Sequence, residues 1–293
     1  MYLLRWISRW PLSILHFVGA GLGWLVWAAS PSYRKRLRAN ARLAGVDARA
    51  QRQAIAEAGR MVAELPWLWL RPDDGALARR TQWAGVEALD ALMPAGRPLI
   101  LLTPHMGSFE VAARAYVDRY GDRKPMTALY RPARRKALRD FQATARARPG
   151  LATAPANLAG VRQMLRALKR GETVGLLPDQ VPPEGQGVWA PFFRLPAYTM
   201  TLAARLAQQT GADCVVLRGE RLPGGRGYRV HVHPLARPLP AGTDAQAMTE
   251  GATIINETME QVILHDPGQY LWGYNRYKQP RPPDVPGGDG APG

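Results

Sequence analysis

The stretch Pro98-Leu-Ile-Leu-Leu-Thr-Pro-His105-Met-Gly-Ser-Phe-Glu110 decides how this chain folds. The apolar run Leu99–Thr103 reads as a strand buried on both faces. Met106 and Gly107 read as a turn, and Ser108 stands where a helix N-cap is expected. A helix is predicted from Phe109 to about Tyr120, with Val111, Ala112, Ala115 and Tyr116 as its apolar stripe. His105 and Glu110 are five residues apart, so one continuous helix would not bring them together. A strand–loop–helix junction could, and it would place them at the carboxyl end of a strand, where open α/β sheets bind ligands. Imidazole exchanges protons near neutral pH, and a carboxylate on its second nitrogen would fix its tautomer. That pairing would suit an enzyme that activates a hydroxyl or an amine. The same residues also fit a buried histidine followed by a carboxylate placed for the helix dipole.

Outward from this junction the pattern alternates. Strands are predicted at Leu99–Thr103, Pro125–Tyr130, Thr173–Leu177, Asp213–Glu220 and Tyr228–His233. Helices are predicted at Phe109–Tyr120, Arg134–Arg146, Leu158–Arg170, Met200–Thr210 and Ala245–His265. Such alternation predicts an α/β fold, a mostly parallel mixed sheet flanked by helices. Arg221-Leu-Pro-Gly-Gly-Arg-Gly227 reads as a hairpin loop, so at least one antiparallel pair is expected. Upstream, Tyr33–Leu43 reads as a basic amphipathic helix. Asp47 caps a longer helix, Ala48 to about Leu70, that Pro66 kinks or ends.

The chain has 293 residues and a formal charge of +16, with only five lysines among its 39 basic residues. That balance implies an anionic partner. No paired Cys/His finger, basic zipper or aromatic RNA-binding motif appears, so nucleic acid is not expected. The single cysteine, Cys214, reads as a small buried hydrophobe and fits a reducing compartment. His231 and His233 share a strand face but lack a third ligand at metal spacing, so no metal site is expected. Ser108 lies in no nucleophile elbow, and no phosphate-cradling glycine loop is present.

Trp10–Ala29 is almost wholly apolar and about long enough to cross a bilayer. Trp6, Trp10, Trp24 and Trp27 lie towards its ends, and Arg34, Lys35, Arg36, Arg38 and Arg42 follow. An uncleaved membrane anchor is expected over 1–30, spanning or lying in the interface, with a catalytic domain over 31–279. A cleaved signal peptide and a buried core helix are the rival readings. From 280 the chain is rich in Pro, Gly and Asp and is expected to be a disordered tail.

Three further segments carry chemistry. Tyr130-Arg131-Pro132, with Arg134, Arg135 and Lys136 behind it, offers guanidinium to phosphate or carboxylate. Leu177-Pro178-Asp179-Gln180 ends a strand at the same edge as His105; Asp179 could position a base, neutralise an arginine or cap its loop. An aromatic-dense loop over 185–193 follows it. Gln269-Tyr-Leu-Trp272 and Asn275-Arg-Tyr-Lys278 suit a segment that lines a cleft or seals the core.

Taken in order, these segments and Ala190-Pro-Phe-Phe193 resemble the lipid A biosynthesis acyltransferase family, the lauroyl- and myristoyltransferases of the H-x4-D/E superfamily. The resemblance runs from the anchor to Lys278. It implies an enzyme on the cytoplasmic face of the bacterial inner membrane. Its co-substrate would be an acyl carrier protein thioester, with no cofactor. The acceptor would be a hydroxyl on a Kdo-bearing lipid A precursor. His105 and Glu110 match the family's catalytic dyad, Arg131 its second block and Asp179 its third. Gln180, Arg276 and Lys278 would help bind substrate, and anionic inner-membrane lipids would be further partners. Arg194 and Gly273-Tyr-Asn275 depart from the family pattern, which bears on acceptor identity and acyl length. The rival functions are acylation of another membrane lipid and non-catalytic binding of anionic lipid.

Overall fold

The computed structural model describes residues 2–71, 75–93, 96–130 and 148–280. Arg131, the helix expected over Arg134–Arg146 and the tail from 281 lie outside these residues. The helices are α1 (Tyr2–Ile7), α2 (Leu12–Ala29), α3 (Pro31–Leu43), α4 (Ala48–Ala63), α5 (Leu65–Leu70), α6 (Ala76–Arg79), α7 (Val86–Asp90), α8 (Phe109–Tyr120), α9 (Leu158–Lys169), α10 (Leu202–Thr210) and α11 (Ala245–His265). The strands are β1 (Thr81–Ala84), β2 (Leu99–Leu102), β3 (Met126–Tyr130), β4 (Leu151–Pro155), β5 (Thr173–Leu176), β6 (Gly187–Phe192), β7 (Leu195–Met200), β8 (Asp213–Arg221) and β9 (Tyr228–Pro234).

Seven strands form one sheet in the order β1-β9-β8-β2-β5-β3-β4. Every neighbouring pair is parallel except β8–β9, the expected hairpin. β2 is central and buried at all four residues. Its alternate side chains feed two cores, as a period of two requires. Ile100 and Leu102 join Val174, Leu176, Met164 and Ile255 on one side. Leu99 and Leu101 join Val111, Ala115, Tyr116 and Leu217 on the other. Helices on both faces let a mostly parallel sheet bury its apolar strands.

Three local expectations are revised. The long helix after Asp47 is two: α4 stops at Ala63, and Pro66 falls in the first turn of α5, where its missing N–H costs nothing. The aromatic loop after Asp179 is an antiparallel ribbon, β6–β7, with Pro191 opposite Pro196. Each strand of a two-stranded ribbon is an edge, so proline's missing donor is tolerated there. Ser108 occupies the N-cap position of α8, but its side chain makes no cap hydrogen bond and its Oγ is buried without a partner.

Candidate active site

β2 and β5 are adjacent and parallel, with Leu102 in register with Leu176. His105 and Asp179 each follow three residues beyond that register pair, so both chains deliver their side chains to one edge. Asp179 Oδ2 accepts the backbone N–H of His105 at 2.8 Å, and Asp179 Oδ1 lies 2.6 Å from His105 Nδ1. Asp179 is 1% exposed and the imidazole 20%. Burial works to raise the Asp179 carboxyl, but the charge and hydrogen bonds of His105, and then the charge of Arg276, outweigh it. The carboxyl is held below its usual range and is an acceptor only. An acceptor at Nδ1 selects the tautomer with its proton on Nδ1, the one whose Nε2 lone pair can meet a substrate. Phe109 packs edge-on against the ring at 5.3 Å.

The partner of the imidazole is thus Asp179, where the sequence suggested Glu110 as the group that orients it. Glu110 is the second residue of α8, and its Oε2 accepts from Trp69 Nε1 at 3.3 Å. The helix carries the Glu110 side chain towards α5, while the parallel register brings Asp179 to the ring.

The loop that carries His105 is pinned on both sides. Gly107 N–H donates to Gln269 O at 2.8 Å, and Ser108 N–H donates to Gly219 O at 2.7 Å. Leu271 N–H donates to His105 O at 3.1 Å, and Met106 bridges Tyr270. Gly107 adopts φ +52°, and a Cβ there would lie 2.0 Å from Gly219 O. Only glycine fits that close approach. The Gly107 and Ser108 N–H groups ahead of α8 are therefore committed within the fold.

Below the loop lies a buried ion network that sequence reading missed. Arg221 Nη2 donates to Gly107 O at 2.9 Å and to Glu64 Oε1 at 2.7 Å, and Nε donates to Glu64 Oε2 at 2.8 Å. Arg221 also pairs with Glu57, which pairs with Arg60. Tyr228 donates to Glu64 at 3.0 Å, and His16 Nε2 lies 3.0 Å from the same carboxylate. Burial works to raise Glu64, yet Arg221 and then His16 bring it down to about 2. Burial opposes the charge of Arg221, but Glu64 and Glu57 raise its pKa above the ordinary range. The available signal was two glutamates seven apart on the apolar side of a helix, Glu57 and Glu64.

The remaining expected residues divide. Arg276 is 2% exposed and points inward. It donates to Tyr198 O at 2.8 Å and to Thr199 Oγ1 at 2.7 Å, and lies over Phe192. Its charge also supports Asp179 from within the fold. Lys278 Nζ lies over the Tyr274 ring at 5.0 Å, and Gln180 is partly buried beside Asp179. Tyr270, buried against this edge, is raised well above a normal phenol by burial and then by the Asp179 charge. Among the described residues no group of three His, Cys, Asp or Glu side chains converges as a metal site.

The chain matches the family described as bacterial lipid A biosynthesis acyltransferase over residues 1–279. It is 27% identical to the lipid A biosynthesis lauroyltransferase of Escherichia coli K12, over 97% of this chain and 94% of that one. It is 29% identical to the lipid A biosynthesis palmitoleoyltransferase of the same organism, over 93% and 87%. A lipid A biosynthesis acyltransferase of Shigella flexneri is similar to the same degree, 29% over 93% and 87%.

Proposed function

Since the chain belongs to the bacterial lipid A biosynthesis acyltransferase family, we propose that it moves a fatty acyl group from an acyl carrier protein thioester to a hydroxyl of a lipid A precursor. The acceptor is a Kdo-bearing lipid held at the inner membrane, and the domain works from the cytoplasmic face. The observation that carries the mechanism is a fixed, partly exposed imidazole. His105 Nδ1 is held by buried Asp179, which leaves Nε2 of the partly exposed ring to act as a base.

Nε2 takes the proton of the acceptor hydroxyl as that oxygen attacks the thioester carbonyl. The tetrahedral intermediate collapses, the carbon–sulfur bond breaks, and the thiolate leaves with the proton that His105 returns. Asp179 stabilises the imidazolium between these steps and serves as the positioning residue. Glu110 adds negative charge at the start of α8, one residue beyond the phenylalanine that packs on the ring. With Gly107 and Ser108 N–H groups committed, the oxyanion donors fall to Phe109 N–H or to the Arg131 guanidinium. Arg131, Gln180 and Lys278 bind the anionic groups of the substrates.

The test is turnover by the purified full chain given a Kdo-bearing lipid A precursor with lauroyl- or palmitoleoyl-acyl carrier protein. Mass spectrometry reads the acylated product and which thioester is consumed. His105→Ala should slow transfer by about 10²–10⁴ with an unchanged unfolding midpoint. Full activity in that variant would reject His105 as the base.

A further inference from the structure

We propose that α2 does not cross the bilayer but lies in its surface, with basic α3 beside it as a headgroup-binding face. This rests on the membrane reading above and specifies its geometry. α2 has 18 residues, about 27 Å of helix, and is long and apolar enough to span. Both of its ends are nevertheless built into the same domain. At its start, Leu12 and Leu15 are buried among Trp67, Leu68 and Leu101, with Ile7 and Trp10 packed beside them. A Cβ on Gly225 would fall 2.3 Å from Ser13 N, so the β8–β9 turn touches the α2 backbone there. At its end, Trp27 packs on the other core with Tyr33 and Leu37.

The middle is bound as closely. Gly19 and Gly23 face Gly59 of α4, where a Cβ would fall 2.0 Å from Gly19 O. Buried His16 reaches Glu64, and Arg60 donates to His16 O at 3.3 Å. A spanning α2 would carry this ion network and α4 into hydrocarbon, where unscreened polar groups are costly. A surface helix keeps the network in the protein and puts only the outer face of α2 in lipid. That face is apolar and open: Phe17 is 81% exposed and Leu25 62%, with Ile14, Leu22 and Val26 around them. Leu3 and Trp6 of α1 are exposed as well.

Charge identifies the occupant as an anionic phospholipid surface. Arg34, Lys35, Arg36, Arg38 and Arg42 follow the apolar face directly, and none pairs with a carboxylate among the described residues. Arg34 and Arg38 stack over Trp27 at 5.3 and 5.2 Å, fixing basic groups against an indole at the end of the apolar helix. Arg34, Lys35, Arg38 and Arg42 line a shallow groove of about 310 Å³. The opposite face of α3 holds the active-site edge: Asn40 donates to Trp272 O at 2.7 Å and to Tyr274 O at 2.8 Å. The membrane face and the site-closing segment are two sides of one helix, which would bring a lipid acceptor to His105 without its leaving the bilayer.

The experiment uses the full chain with hydrophilic, protease-cleavable tags ahead of Met1 and after Gly293. We expect the protein to sediment with inner membranes and both tags to be cut in everted vesicles and protected in spheroplasts. Tags cut from opposite sides would overturn the surface geometry and leave the membrane reading intact. A chain that stays in the soluble fraction would overturn both. In a second arm, Lys35→Gln/Arg36→Gln/Arg42→Gln is partitioned onto vesicles of phosphatidylglycerol and phosphatidylethanolamine, and onto phosphatidylcholine. Binding to the anionic vesicles should fall roughly fivefold per neutralised charge. Equal binding by the parent chain and this variant would overturn the role given to α3.

Discussion

Of the three histidine–carboxylate pairs among the described residues, two have a fully buried carboxylate, and the contrast between those two separates a support from a site. His16 with Glu64 and His105 with Asp179 both bring a ring nitrogen to within 3.0 Å of a buried carboxylate. Both Glu64 oxygens are engaged inside the fold: two bonds from Arg221, one from Tyr228, one contact with His16. Around Asp179 the carboxylate is as deeply buried, but its histidine is 20% exposed where His16 is 6%. Both carboxyls are held below their usual range, Glu64 by Arg221 and then His16, Asp179 by His105 and then Arg276. A perturbed carboxylate is thus a poor guide to reactivity by itself; what matters is whether the group that it orients can meet another molecule.

The largest effect that would sharpen the contrast is on rate. Asp179→Asn can offer an N–H to the ring and favour the wrong tautomer, so kcat should fall by about 10²–10⁴. KM and the unfolding midpoint should change little, and steady-state kinetics on the purified variant checks this. An unaltered kcat would return the orienting role to Glu110.

The sealed network should answer in stability. Arg221→Gln removes the cation that Glu57 and Glu64 share and leaves Glu64 buried with only His16 and Tyr228, a loss of about 3–5 kcal/mol of folding stability. Denaturant unfolding in detergent reads it. Because Arg221 also holds Gly107 O, turnover per folded molecule should fall too. Normal stability in that variant would break the distinction drawn above.

The smallest effect is on acid tolerance. Glu64 sits at about 2 when folded and near 4.5 when exposed, so the unfolded chain binds the proton first. Its contribution is complete above the unfolded value and is lost as pH falls towards about 2. Glu64→Gln should therefore lower stability at neutral pH and flatten the fall between about pH 4.5 and 2. An equally steep fall in both proteins would show that this carboxylate is not what acid disrupts.

Much of this architecture was legible in the sequence. The runs at Leu99, Thr173 and Asp213 are apolar at successive positions, the signature of strands covered on both sides. The missed strands lie at edges or in the ribbon. Thr81–Ala84 and Leu151–Pro155 carry little apolar pattern because only one flank is paired. Prolines in Gly187–Met200 argue against any central strand and are silent about a two-stranded ribbon. For the site, His105 and Asp179 were both singled out from their positions at strand ends; positioning a base was one of three roles open to Asp179, and the structure places it on the His105 ring.

The sequence by itself determined the family, the alternating α/β order, the apolar N-terminal helix and the histidine at the end of a strand, because each is written in local pattern. Only the tertiary structure decided that Asp179 holds that histidine, that Arg276 faces inward, and that Arg221 ties α4 to the Gly107 loop. These follow from strand order and from which helix crosses which. A local pattern carries neither, since residues 74 apart, as His105 and Asp179 are, meet only when adjacent parallel strands set their register.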